Sequence, residues 1–342
     1  MPRPFASRLR PLRLPKVDPY IAALLGTVLL ATLLPAKGSA ADTAGDATTV
    51  AVGVLFFLYG ARMSTRDAWE GIRHWRLHLL VLLFTFVLFP LLGLVLRPAA
   101  GWLLGSQTAT GLLFLCLLPS TVQSSITFTS IAGGNVPAAV CAGSFSNLLG
   151  VLVTPLTAAW LLGTAGGGFS ADSLLSIGEQ LLLPFVAGQV LRHWIGAWVT
   201  RHRKVLGLVD RGSILLVVYT AFSEGVVAGI WHDMPVPRLL GLLVVEAALL
   251  AVVLAVTSTV SRRLGFGRED RIAMVFAGSK KSLASGLPMA SVIFPAATVG
   301  LMVLPLMLFH QMQLMVCAAL ARRWARAPEP QRPEPQPVAS GA

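Results

Sequence analysis

Pro119-Ser120-Thr121-Val122-Gln123-Ser124-Ser125-Ile126-Thr127-Phe128-Thr129-Ser130-Ile131-Ala132-Gly133-Gly134-Asn135 is a polar run set between two strongly apolar ones. Eight of the eleven residues from 120 to 130 carry a hydroxyl or an amide. Scattered Ser and Thr are cheap in a helix surrounded by lipid, because each hydroxyl bonds back to its own backbone. Eight in eleven exceeds what one helix face uses. The proline ahead of the run and the Gly133-Gly134 pair behind it let the chain unwind, so that hydroxyls and carbonyls face an ion or solute. Plain hydrogen-bonding glue between helices is the alternative.

The surrounding composition makes lipid the solvent. Of 342 residues, 27 are Lys or Arg and 15 Asp or Glu, so 12% carry charge, about half the roughly 25% of soluble domains. Hydrophobic residues make up 55%, interspersed with 32 Gly and 22 Pro. So few charges cannot cover so much apolar surface in water. This excludes a soluble enzyme, a disordered protein and a disulfide scaffold. Cys116, Cys141 and Cys317 lie within apolar runs without metal-ligand spacing and read as buried free thiols.

A bilayer crossing needs roughly 17 to 25 apolar residues. Ten candidate runs lie near 18–36, 48–62, 77–96, 108–131, 136–163, 173–193, 211–231, 238–260, 271–294 and 297–320. Residues 1–16 form a basic leader, which reads as a cytoplasmic anchor rather than a cleaved signal. Residues 327–342, with prolines at 328, 330, 333, 335 and 337, read as a disordered cytoplasmic tail. The net charge of +12 resolves by position. Alternate connections and the two terminal flanks hold 22 of the 27 basic residues, and the opposite connections hold only Lys37, Arg97 and Arg238. That asymmetry is the positive-inside pattern, not a nucleic-acid footprint. It places both termini in the cytoplasm and makes the number of crossings even.

Two lysines are left over. Phe276-Ala277-Gly278-Ser279-Lys280-Lys281-Ser282-Leu283-Ala284-Ser285-Gly286-Leu287-Pro288 interrupts another apolar run. Unpaired ammonium groups at that depth cost several kcal/mol. Consecutive helical positions diverge by about 100°, so both lysines reach one cavity only if the helix breaks, at Gly278, Gly286 or Pro288. The plainer reading pairs them with Glu224, Glu246 or Glu179 as structural ion pairs. The sharper one places a cation at a transport site for an anionic solute or for proton exchange. Glu224, Glu246 and His310 are candidates for an ion pair or proton carrier. Ser144, Ser146 and Asn147 follow the first break in positions that could face it, and His310, Gln311 and Gln313 hold the corresponding place in the last helix, where hydrogen bonding between helices is the default reading. His74 and His78 read as an interfacial belt, and no phosphate loop, nucleophile elbow or metalloprotease motif occurs. Residues 17–165 and 170–326 each end with a polar interruption and a proline-containing apolar helix, the outline of two inverted five-helix repeats with broken helices, a secondary-transporter design.

The run from Pro119, the sequence Gly134-Asn135-Val136-Pro137-Ala138-Ala139 and the run Ser279 to Gly286 together resemble the bile acid:sodium symporter superfamily, nearest its solute carrier family ten member seven-like subgroup. The resemblance spans about 17 to 325. It implies a polytopic, all-α membrane protein of ten helices, with a panel domain, and a core domain in which the fourth and ninth helices are broken and cross. It implies alternating access, without a cofactor, in a plasma membrane or bacterial inner membrane. The two polar runs place the site on Ser120, Thr121, Gln123, Ser124, Ser125, Thr127, Asn135, Ser279, Lys280, Lys281, Ser282 and Ser285, with breaks at Gly133, Gly134, Gly278, Gly286 and Pro288. Ser124 and Ser125 match the family's sodium ligands on the fourth helix. Ala139 and Gly143 stand where two hydroxyl ligands belong, Phe276 where a Glu and Lys280 where a Gln belong, and Thr85 replaces a further glutamine. The sodium site is degenerate, and a fixed ammonium repels sodium. A lysine therefore reads as a tethered substitute for the cation, and coupling to sodium or to protons stays open. The expected function is secondary-active transport of a small organic anion by alternating access, with sodium coupling altered or absent. A non-transporting regulator that keeps the fold is the rival, and an intramembrane enzyme has no constellation to support it.

Overall fold

A computed structural model describes residues 19–62, 74–163, 178–229 and 234–325. The leader, the proline-rich tail and the connections around 63–73 and 164–177 lie outside these residues. The described residues are helical throughout, with no strand among them. In chain order they form α1 (Pro19–Leu33), α2 (Ser39–Arg62), α3 (Trp75–Leu104), α4 (Ser106–Leu117), α5 (Gln123–Ile131) and α6 (Val136–Gly163), followed by α7 (Leu183–Arg201), α8 (Arg203–Val227), α9 (Val236–Arg263), α10 (Arg268–Gly278), α11 (Leu283–Ile293) and α12 (Ala296–Ala325). Six of them, α2, α3, α6, α8, α9 and α12, are long and apolar enough to cross a membrane. Large apolar side chains point outward, with Trp102 89% and Val95 75% exposed. Water would not tolerate that surface, and lipid does.

Helices α1, α2, α7 and α8 pack together. Glycine sets how closely α2 and α7 approach. A Cβ on Gly60 would collide with the Phe185 carbonyl, and one on Gly188 with the Phe57 carbonyl. The other helices form a second group, joined to the first through α8 against α11 and α12. Tyr59 of α2 also reaches across, donating to the Ala284 carbonyl at 3.3 Å. That carbonyl is available because Pro288, four residues on within α11, has no N–H to offer it.

Two helices stop in the interior. Pro119 ends α4 after Leu117, and α10 ends at Gly278. The first break, 118–122, precedes most of the polar run instead of passing through it, so 123–131 is helical. The turn after α5 bends at Gly133, whose φ of 68° favours glycine. Gly134 there packs against Ile272, where a Cβ would come within 2.5 Å of its methyl. Gly286 and Pro288 do not break the helix as expected. Both lie inside α11, where Gly286 serves close packing against Leu118 and Leu306.

Candidate functional site: two broken helices that cross

Each break hands its unused backbone groups to the other. A helix end leaves its last carbonyls without partners, and in an apolar interior each must find a donor. At the end of α4, the Leu115 carbonyl accepts from Leu118 N at 3.3 Å, and that of Leu117 from the Thr154 hydroxyl at 2.9 Å. The carbonyls of Cys116 and Leu118 accept from Lys281 Nζ at 2.9 and 2.7 Å. Pro119 O accepts from Ser282 N at 2.9 Å. At the end of α10, Phe276 O accepts from Ser125 Oγ at 2.9 Å and Ala277 O from the Ser120 hydroxyl. Gln313 of α12 then clamps the second break, accepting from Lys281 N and donating to Lys281 O, both at 2.8 Å.

The third acceptor for Lys281 comes from α3. A π-helical turn covers Phe84–Leu88, and Phe89 N bonds to Phe84 O. In that register the Thr85 carbonyl falls to residue 90, a proline without an N–H. Lys281 Nζ takes the orphan at 2.8 Å. The ammonium thus meets three main-chain carbonyls with its three N–H groups, 4.1 Å from the centroid of the Phe89 ring. Thr85, which the resemblance places where a glutamine belongs, meets Lys281 through its carbonyl. Its hydroxyl bonds back to Val81 O at 2.8 Å.

Lys280 is treated differently. It has no exposed surface, yet its ammonium has one hydrogen bond, to Ser124 Oγ at 3.3 Å. It stands over two rings, 4.5 Å from Phe128 and 5.6 Å from Phe276. Ser124 Oγ is 2.5 Å from Thr121 Oγ1, and the buried Thr129 hydroxyl on the same short helix has no partner among the described residues. Neither lysine pairs with a carboxylate. The one ion pair among the described residues joins Arg62 to Asp210. Glu246 is fully buried with both oxygens unpartnered, and Glu224 lines a separate cavity of about 480 Å³ together with Lys37. The structural ion-pair reading of the lysines is therefore corrected.

Other expected residues divide clearly. Ser120 N donates to Ser146 Oγ and Asn147 Nδ2 to Ser120 O, each at 2.9 Å. Asn147 Oδ1 accepts from Ser285 Oγ at 3.0 Å. Ser282 caps α11, accepting from Ser285 N. Ser279 is buried against Cys317, and His310 Nδ1 lies 2.9 Å from Gln313 Nε2. Gln123 and Thr127 are exposed on the far side of α5. Asn135 sits away from the crossing, where it caps α6 by accepting from Ala138 N at 3.0 Å and holds Asp270 at 2.7 Å. Cys116, Phe89 and Thr154 enter the site unannounced by the polar pattern. Pro90 was the one readable signal, since a proline inside an apolar helix must free a carbonyl.

A model of the SBF-like CPA transporter family matches residues 18–326. An uncharacterised protein of Pseudomonas aeruginosa is 57% identical over 318 residues, covering 93% of this chain and 95% of its own length. YfeH of Escherichia coli, named as a symporter, is 50% identical over 313 residues, covering 92% and 94%. Sodium/bile acid cotransporter 7 of Xenopus tropicalis is 29% identical over 317 residues, covering 88% and 90%. Helices built for lipid and a polar crossing sealed inside them agree with that kinship. The chain belongs to the SBF-like CPA transporter family, within the bile acid:sodium symporter superfamily, and is a multi-pass membrane transporter.

Proposed function

We propose that the protein is a secondary-active transporter that carries a small organic anion by alternating access, without a bound sodium ion at the crossing. Lys280 recognises the anion, and Lys281 stands permanently where a mobile cation would otherwise sit. The single observation that carries this reading is the contrast between the two ammonium groups. Lys281 has all three N–H groups engaged by carbonyls, whereas Lys280 has one long hydrogen bond in a place with no exposed surface. A buried ammonium short of acceptors is stabilised by an anionic ligand that supplies them. Ten crossings in two inverted repeats, both termini in the cytoplasm of a bacterial inner membrane, and rocking of the α1, α2, α7, α8 group against the rest complete the proposal. The joining contacts of α8 and Tyr59 support it.

The test is a thermal-shift screen of detergent-purified protein against carboxylates, sulfonates and phosphate esters, in sodium chloride and again in choline chloride. The expected result is stabilisation by an organic anion in both salts, abolished by Lys280→Gln. Stabilisation that needs sodium, or that survives Lys280→Gln, overturns the reading.

A further inference from the structure

We propose that a groove between α9, α10 and α12 binds one anionic phospholipid of the surrounding bilayer, with an acyl chain in the groove and the phosphate on Arg323. The groove has a volume of about 460 Å³. Its width comes from small residues on facing helices, Ala255 and Ser258 on α9 and Ala319 on α12, and Val275 of α10 forms its buried floor. In a membrane-spanning chain an apolar channel open to the outside meets hydrocarbon, and an acyl chain has the section to fill it.

The headgroup chemistry is read from the end of the groove, where Arg323 and Trp324 lie. Arg262 and Arg263 end α9, Arg268 begins α10, and Arg322 and Arg323 end α12. Arg268 donates to the Trp324 carbonyl at 2.8 Å, which fixes these ends on one membrane face. Arg322 turns back to the Ala318 carbonyl of its own helix at 3.3 Å. Arg323 is exposed and has no hydrogen-bond or ion-pair partner among the described residues. Among the described residues near these ends, Asp270 is held by Asn135, and Glu269 is exposed in the first turn of α10. Basic pockets between transmembrane helices beside an aromatic anchor are sites for anionic headgroups. A zwitterionic lipid would add its own ammonium to five arginines. The groove also ends one contact from the crossing. The Trp324 ring lies 5.3 Å from that of Phe276, which stands under Lys280.

The experiment reconstitutes the full chain in nanodiscs with equal phosphatidylglycerol and phosphatidylcholine and counts retained lipids by native mass spectrometry. The expected result is one strongly retained phosphatidylglycerol. Arg323→Gln should lower its retention about fivefold, the worth of one arginine at an anionic surface. Ala319→Phe fills the groove without changing charge and should abolish retention, whereas Lys280→Gln, in the solute site, should leave it unchanged. Equal retention of the two lipids overturns the proposal, as does retention indifferent to both Arg323→Gln and Ala319→Phe. A two-chain species with no lipid does so too, since the groove would then be a contact between copies.

Discussion

Lys281→Met keeps the length of the side chain and removes its three N–H groups, so it tests the carbonyl cage with little change in packing. The carbonyls of Thr85, Cys116 and Leu118 lose the donor that reaches them at 2.7 to 2.9 Å. A buried polar group stripped of its partner costs about 1–3 kcal/mol, which gives about 3–9 kcal/mol for three. Removing a desolvated ammonium returns part of this, and the Phe89 ring keeps an apolar neighbour. The net loss should sit near the low end, about 3 kcal/mol. The assay is denaturant unfolding in mixed micelles followed by tryptophan fluorescence. Lys281→Ala adds a second arm, because it vacates the volume as well. Ammonium chloride should restore stability, by about 1.4 kcal/mol at ten times its Kd, whereas choline, too large for the space, should not. A Met variant within about 0.5 kcal/mol of the native protein, the range of an ordinary surface change, would refute the cage as a structural cation site.

Gln313→Leu should cost about 2–6 kcal/mol by the same unfolding assay, since it orphans both the N–H and the carbonyl of Lys281. A stability loss in the native protein that vanishes in the Lys281→Met background would show instead that the clamp acts only through the ammonium. Gly188→Ala should destabilise by about 1–3 kcal/mol, because its new methyl meets the Phe57 carbonyl across the α2–α7 contact. Gly53→Ala, with open space around it, should be neutral or slightly stabilising. Equal effects of the two glycine changes in a thermal melt would contradict the close approach.

The helical architecture was legible because hydropathy and the Lys/Arg distribution report on lipid directly, and Pro119 and Gly278 lie where the helices end. The site was legible only in part. Counting hydroxyls from 120 to 130 locates a polar segment but not its phase. Once α5 forms, Ser125 and Thr129 turn inward while Gln123 and Thr127, two residues from each, turn out. The separate roles of the adjacent lysines depend on a non-helical stretch, 279–282, whose side-chain directions follow no period. The carboxylates failed as partners for a different reason: Glu246 keeps both oxygens unpartnered and Glu224 lines a separate cavity, and hydropathy alone does not say which way a carboxylate on an apolar helix turns.

The exchange of backbone partners between the breaks also bears on how the protein is made. Two of the acceptors at the end of α4, the Cys116 and Leu118 carbonyls, are served by donors 163 to 165 residues later in the chain. At about 5–20 residues per second, the ribosome delivers those donors roughly ten to thirty seconds after α4 has emerged. During that interval the carbonyls of Cys116 and Leu118 have no native donor, at a depth where each unmet group costs several kcal/mol. The first half therefore cannot complete its own interior. The bonding pattern predicts that insertion and final folding are separate events for this chain, with these two carbonyls satisfied only once the second break arrives.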